Sequence, residues 1–150
     1  MQTARRLYVY LISGVGMGML VAGLTILLIV LFDRLGLGGS VIGGTGDVIG
    51  QQLTLASALI VVGLPVWLIH WLAAERSVRP GRPEADLERT SDVRGLYFAL
   101  ALGILLAVAA TGVTSVIQAI VDALLGGTDV TFSGAADGLA IALVAGAAWG

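Results

Sequence analysis

Soluble domains run at about 45–50% apolar and about 25% charged residues, so a chain of 150 residues that is 57% hydrophobic and 12% charged is not an ordinary soluble globule. One histidine and no cysteine exclude a bis-histidine haem within one chain, disulfides and thiolate chemistry. A net charge of −2, with acids interspersed among the arginines, gives no electrostatic footprint for nucleic acid.

In chain order, Arg5 and Arg6 precede the uncharged run Leu7 to Phe32. Its 26 residues exceed the ~20 that cross a ~30 Å hydrocarbon core. They also far exceed the about 7–15 of a secretory signal core, and no small-residue cleavage site follows, so the run predicts an uncleaved first transmembrane helix. The outer loop Gly36 to Gly50 holds seven glycines and cannot bury a core of its own. A second span follows at about 53–73, closed by Glu75 and Arg76. The connector 75–93 carries both charge signs with Pro80 and Pro83, and a short helical turn fits Pro83 to Arg89. A third span covers about 96–123, and a fourth apolar stretch, within 137–150, starts after Asp137 and runs to Gly150. Thirteen residues are too few to cross, and no basic stop follows them, which predicts a truncated last helix in a polypeptide that continues.

Seven of the eight arginines lie before the first span or between the second and third, while the outer gaps hold Asp33, Asp47, Asp122, Asp129 and Asp137 against Arg34 alone. The positive-inside rule then places the N-terminus and the connector in the cytoplasm. The expected location is the inner (plasma) membrane of a bacterium, crossed several times.

Part of the first unit recurs 89 positions later: Arg5, Leu7, Tyr8, Leu11, Gly14, Gly23, Thr25, Asp33 and Leu35 become Arg94, Leu96, Tyr97, Leu100, Gly103, Gly112, Thr114, Asp122 and Leu124. With seven loop residues dropped from the second copy, Asp47-Val48 meets Asp129-Val130 and Trp67 meets Trp149. The expected fold is an all-α integral membrane domain of two tandem, parallel-repeat helical hairpins, 1–74 and 94–150, packed as a bundle.

On the third helix, Gly103, Ala107, Thr111, Thr114, Ser115, Gln118 and Asp122 fall at helical spacing, small towards the cytoplasmic end and polar towards the outer one. The first helix keeps a weaker version in Gly14, Gly18, Ala22, Thr25 and Asp33. Such stripes let helices approach closely and hydroxyls bond across the contact, worth about 0.6 kcal/mol each. Gly14, Gly18, Gly23, Gly103, Ala107 and Gly112 are the packing candidates. Thr25, Asp33, Thr111, Thr114, Ser115, Gln118 and Asp122 are the candidates for an outward polar cleft between the repeats.

Gly14, Gly16 and Gly18 imitate a nucleotide loop, but they lie inside a hydrophobic span without a preceding strand or a following lysine. The second helix ends in Pro65-Val66-Trp67-Leu68-Ile69-His70-Trp71. Pro65 is expected to kink it, and Trp67, His70 and Trp71 fit an interfacial aromatic belt with Tyr8, Tyr10, Tyr97 and Trp149.

The Arg5-Arg6-Leu7-Tyr8-Val9-Tyr10-Leu11 start, the Gly14 helix and the Gly63 to Trp71 end of the second helix resemble the bacterial membrane domains known as domain of unknown function 5671. The resemblance covers both hairpins and is most specific at Trp67 to Trp71; the second copy departs from it in carrying Ala147 where Pro65 stands. It implies a multi-span domain that occurs as tandem units in longer membrane proteins, with no assigned activity and hence no catalytic residues.

No Ser/His/Asp group, catalytic carboxylate pair or metal-spaced cluster is present in the sequence, so the reading is a non-enzymatic assembly module without a cofactor. Its expected partners are membrane lipid and other transmembrane helices, of the same longer chain, of a second copy or of a partner subunit. The alternative is a small-solute binding or transport unit using the polar cleft. A third reading, a membrane redox, quinone or haem protein, would rest on His70 and the tryptophans.

Overall fold

Long uncharged runs form helices because a helix satisfies every main-chain N–H and C=O within its own segment. The computed structural model describes residues 2–37, 46–77, 92–125 and 133–149, and every regular element among them is an α-helix. These are α1 Gln2–Arg34, α2 Gly46–Ser77, α3 Asp92–Leu124 and α4 Ser133–Trp149. Leu7–Arg34, Val48–Arg76 and Arg94–Leu124 are each long and apolar enough to cross a membrane, whereas the apolar helix Gly134–Ala148 is shorter.

The helices overrun the spans expected from the sequence. α1 begins five residues before Leu7, α2 seven before Leu53 and α4 four before Asp137. Hydropathy marks the slab that suits hydrocarbon, while helical hydrogen bonding continues through polar residues until something caps it. The glycine-rich loop is correspondingly shorter than Gly36 to Gly50, since Gly46 to Gly50 form the start of α2. The turn expected at Pro83 to Arg89, and residues 38–45 and 126–132, lie outside the described residues. α2 runs as one helix through Pro65, whose missing N–H deprives the Val61 carbonyl of its usual donor.

α1 stops at a Schellman cap. Gly36 adopts φ +72°, the Leu37 N–H donates to the Phe32 carbonyl at 2.9 Å, and the Gly36 N–H donates to the Asp33 carbonyl at 3.1 Å. Only glycine takes this left-handed position without a Cβ penalty, so the end of α1 is written at one residue.

α1 packs along α2, and α3 along α4, as two antiparallel hairpins. Each seam closes on residues without side chains. A Cβ on Gly16 would lie 2.6 Å from the Trp67 nitrogen, and one on Gly23 would lie 2.9 Å from the Ala56 carbonyl oxygen. In the second hairpin, a Cβ on Gly112 would lie 2.5 Å from the Gly138 carbonyl oxygen and 2.8 Å from the Ala142 nitrogen. Ala56 of α2 and Ala145 of α4, seven residues on from Gly138, are fully buried.

The hairpins meet one another more loosely. α1 packs on α4 and, more lightly, on α3, while α2 reaches the second hairpin at one end, where Trp71 meets Phe98. That end of the bundle carries Arg5, Arg76 and Arg94 and is called the basic end below; the opposite, acidic end carries Asp33, Asp122 and Asp137.

Candidate functional site

Two regions offer chemistry beyond packing. At the basic end, the Tyr10 and Tyr97 rings meet at a tilt of 36° with centroids 5.2 Å apart, Tyr97 meets Phe98 at 5.5 Å, and Phe98 stands edge-on to Trp71 at 5.9 Å. Trp67 and Trp71, one turn apart on α2, stack at 6.4 Å. Tyr10 and Ser13 are buried, and the Ser13 hydroxyl lies 3.5 Å from the Tyr97 hydroxyl across the hairpin junction. The Arg94 guanidinium caps the cluster 5.4 Å from the Phe98 ring centroid, within cation–π range.

His70 joins this cluster from the α2 side. Its Nδ1 lies 2.8 Å from the Val66 carbonyl oxygen; a carbonyl can only accept, so Nδ1 is the donor. The ring sits 6.0 Å from Tyr8. Among the described residues, no three His, Asp or Glu side chains are grouped as metal ligands.

Outward from the aromatic rings, a cavity of about 930 Å³ opens between the hairpins. Its walls are leucines of α1 from Leu20 to Leu31, Leu102 and Leu105 of α3, and Leu143 and Val144 of α4, with Trp67, Trp71, Tyr97 and Phe98 at one end. Thr25, Asp33, Thr111, Thr114, Ser115, Gln118 and Asp122 are all absent from its lining.

The polar residues of α3 lie on its open side. Thr111, Thr114, Gln118 and Asp122 are exposed, and Ser115, Thr25 and Asp33 are half-buried. The hydroxyls bond within their own helix: Thr111 to the Val108 carbonyl at 2.7 Å, Thr114 to the Ala110 carbonyl at 2.8 Å and Ser115 to the Thr111 carbonyl at 3.1 Å. At the acidic end, the packing of α1 on α4 brings Asp33 and Asp137 to the same end of the bundle. The sequence separates them by 104 positions, so only that packing reveals their shared end.

A family described as a domain of unknown function (DUF5671) matches residues 6–147, a stretch that includes nearly all of both hairpins. The chain belongs to this family. No curated protein and no solved structure matches the chain.

Within the DUF5671 domain, the glycines singled out from the sequence divide by location. Gly23 and Gly112 sit at the two hairpin seams, and Gly14 lies at the junction, where a Cβ would be 3.4 Å from the Tyr97 ring. Gly18 and Gly103 face open space, with nothing within 4 Å of an added Cβ, and Ala107 is exposed. The sequence reading missed Gly16, Gly63 and Gly138 as seam residues. For Gly16 and Gly63 the signal was a seven-residue spacing of small residues, Gly16 to Gly23 on α1 and Ala56 to Gly63 on α2, which brings both pairs together when the helices run antiparallel.

Proposed function

We propose that this domain is a non-enzymatic, multi-pass membrane module that packs against another transmembrane helix through the open face of α3. The observation that carries the reading is the uncovered stripe of Gly103, Ala107, Ala110, Thr114 and Gln118, all exposed at three- and four-residue spacing. Small residues at this spacing admit a second backbone at close range, and association in lipid depends on such contacts because hydrocarbon supplies no hydrophobic drive between helices. The two seams inside the domain use the same device at Gly23 and Gly112.

Membrane crossing is supported by three spans of 28, 29 and 31 residues. It is further supported by exposed apolar side chains such as Leu11, Val61, Ile104 and Ile117, which suit hydrocarbon rather than water. The arginine-rich end then faces the cytoplasm. The parallel duplication is supported by the seams: Gly23 and Ala56 shift by 89 and 82 positions onto Gly112 and Gly138, which meet in the same way. A polar solute site between the repeats has no comparable support, because the inter-hairpin cavity is apolar.

The test is Gly103→Ile combined with Ala107→Ile, read by native mass spectrometry of gently extracted protein. Both positions are open in the domain, so the bulk should leave its own fold intact while abolishing recovery of a larger assembly. Assemblies recovered unchanged from the double variant would sink the proposal.

A further inference from the structure

The inter-hairpin cavity has the length, chemistry and end group of a lipid site. Its α1 wall extends from Met17 to Leu31, fourteen helical steps or about 21 Å at 1.5 Å per residue. One leaflet contributes about 15 Å of hydrocarbon, half the ~30 Å core, so the cavity accommodates the full depth of a chain from that leaflet. Its lining has no charged side chain, and its side-chain N–H and O–H groups are the two indoles and the Tyr97 phenol at the basic end. An apolar cavity of this kind gives water no partners. No glycine lines it, in contrast to the seams where one helix backbone meets another.

The basic end supplies the headgroup chemistry. Arg94 stands over Phe98, which is itself part of the lining, and among the described residues no carboxylate forms an ion pair with it. The other charged residues in the helices at that end are Arg5 and Arg6 on α1, Glu75 and Arg76 on α2, and Asp92 on α3; of these Arg5, Glu75, Arg76 and Asp92 are exposed, whereas Arg94 is half-buried. A guanidinium held at the mouth of an apolar slot matches a phosphate joined to an acyl chain.

We infer that this cavity seats an acyl chain of an anionic phospholipid from the cytoplasmic leaflet, with the lipid phosphate at Arg94. The inference rests on the membrane reading above, and a lipid held there fills the gap between two loosely joined hairpins.

Tryptophan quenching tests it directly, because Trp67 and Trp71 line the cavity and the chain has three tryptophans. In a Trp149→Phe background, the full chain is reconstituted into phosphatidylcholine vesicles containing a small fraction of phosphatidylglycerol or phosphatidylcholine with brominated acyl chains. The brominated phosphatidylglycerol should half-quench at about a fivefold lower fraction than the brominated phosphatidylcholine, as one arginine contact implies. Arg94→Gln should remove that preference and Arg94→Lys should retain it. Ala101→Leu with Ala147→Leu, which fills the slot, should weaken quenching by both lipids at unchanged helicity. If the filled variant does not fold, the Arg94 pair alone decides.

Equal quenching by both lipids, indifferent to Arg94, would overturn the inference and leave only surrounding bulk lipid. Tryptophans shielded from both lipids, with a dimer mass by native mass spectrometry, would also overturn it in favour of a second copy in the slot. Flotation of the same vesicles separates this failure from that of the underlying reading: a chain that does not float overturns membrane insertion itself.

Discussion

At the scale of single residues, Gly36 fixes where α1 ends, since its φ of +72° lets two N–H groups return to the Phe32 and Asp33 carbonyls. Gly36→Ala should cost about 1 kcal/mol, the penalty of a Cβ in the left-handed region, measurable by denaturant titration in mixed micelles. Gly112 and Gly103 make a sharper pair. A methyl at Gly112 meets the Gly138 carbonyl and Ala142, whereas one at Gly103 meets nothing. Gly112→Ala should therefore destabilise by about 1–3 kcal/mol, the cost of overpacking, and Gly103→Ala should leave stability level or slightly raised. Equal effects in the same titration would contradict the seam geometry. Sequence spacing alone could not separate these glycines, since 14, 18, 23, 103 and 112 all sit on small-residue patterns and only the crossing point of a partner helix decides which face is covered.

Among the elements, the three long helices were legible because a run of more than twenty uncharged residues has one stable form in lipid. Their ends were less legible, because capping rather than hydropathy sets them, as the early start of α2 at Gly46 shows. The candidate polar cleft is a matter of side-chain direction. Thr111, Thr114 and Ser115 have carbonyls of their own helix within reach, so their spacing does not require a facing partner. The Trp67 to Trp71 segment stands out in the sequence by its aromatic spacing, yet its meeting with Phe98 depends on how the hairpins dock, and no periodicity in either helix encodes that distance.

For the molecule as a whole, the arginines collect at one end and Asp33, Asp122 and Asp137 at the other, a polarity that the proposed topology turns into an orientation across the membrane. The chain has no native cysteine, so single cysteines report this orientation without background. Leu37→Cys, at an exposed position beyond α1, should react with a membrane-impermeant maleimide in intact cells. Ser77→Cys, the last residue of α2, should react only after the membrane is opened. The reverse pattern would invert the topology, and labelling of both in intact cells would argue against a sealed crossing.

The unequal packing, tight within each hairpin and loose between them, also bears on how the protein is made. Every glycine seam of the first hairpin lies within residues 16–63, so its contacts are complete before α3 has been synthesised. Biogenesis then becomes a docking of two finished units rather than a search among four helices. Two separately encoded halves, divided within the stretch between Ser77 and Asp92, should accordingly find each other in one membrane and co-purify. A chain divided inside either hairpin should instead be cleared by the cell's proteases.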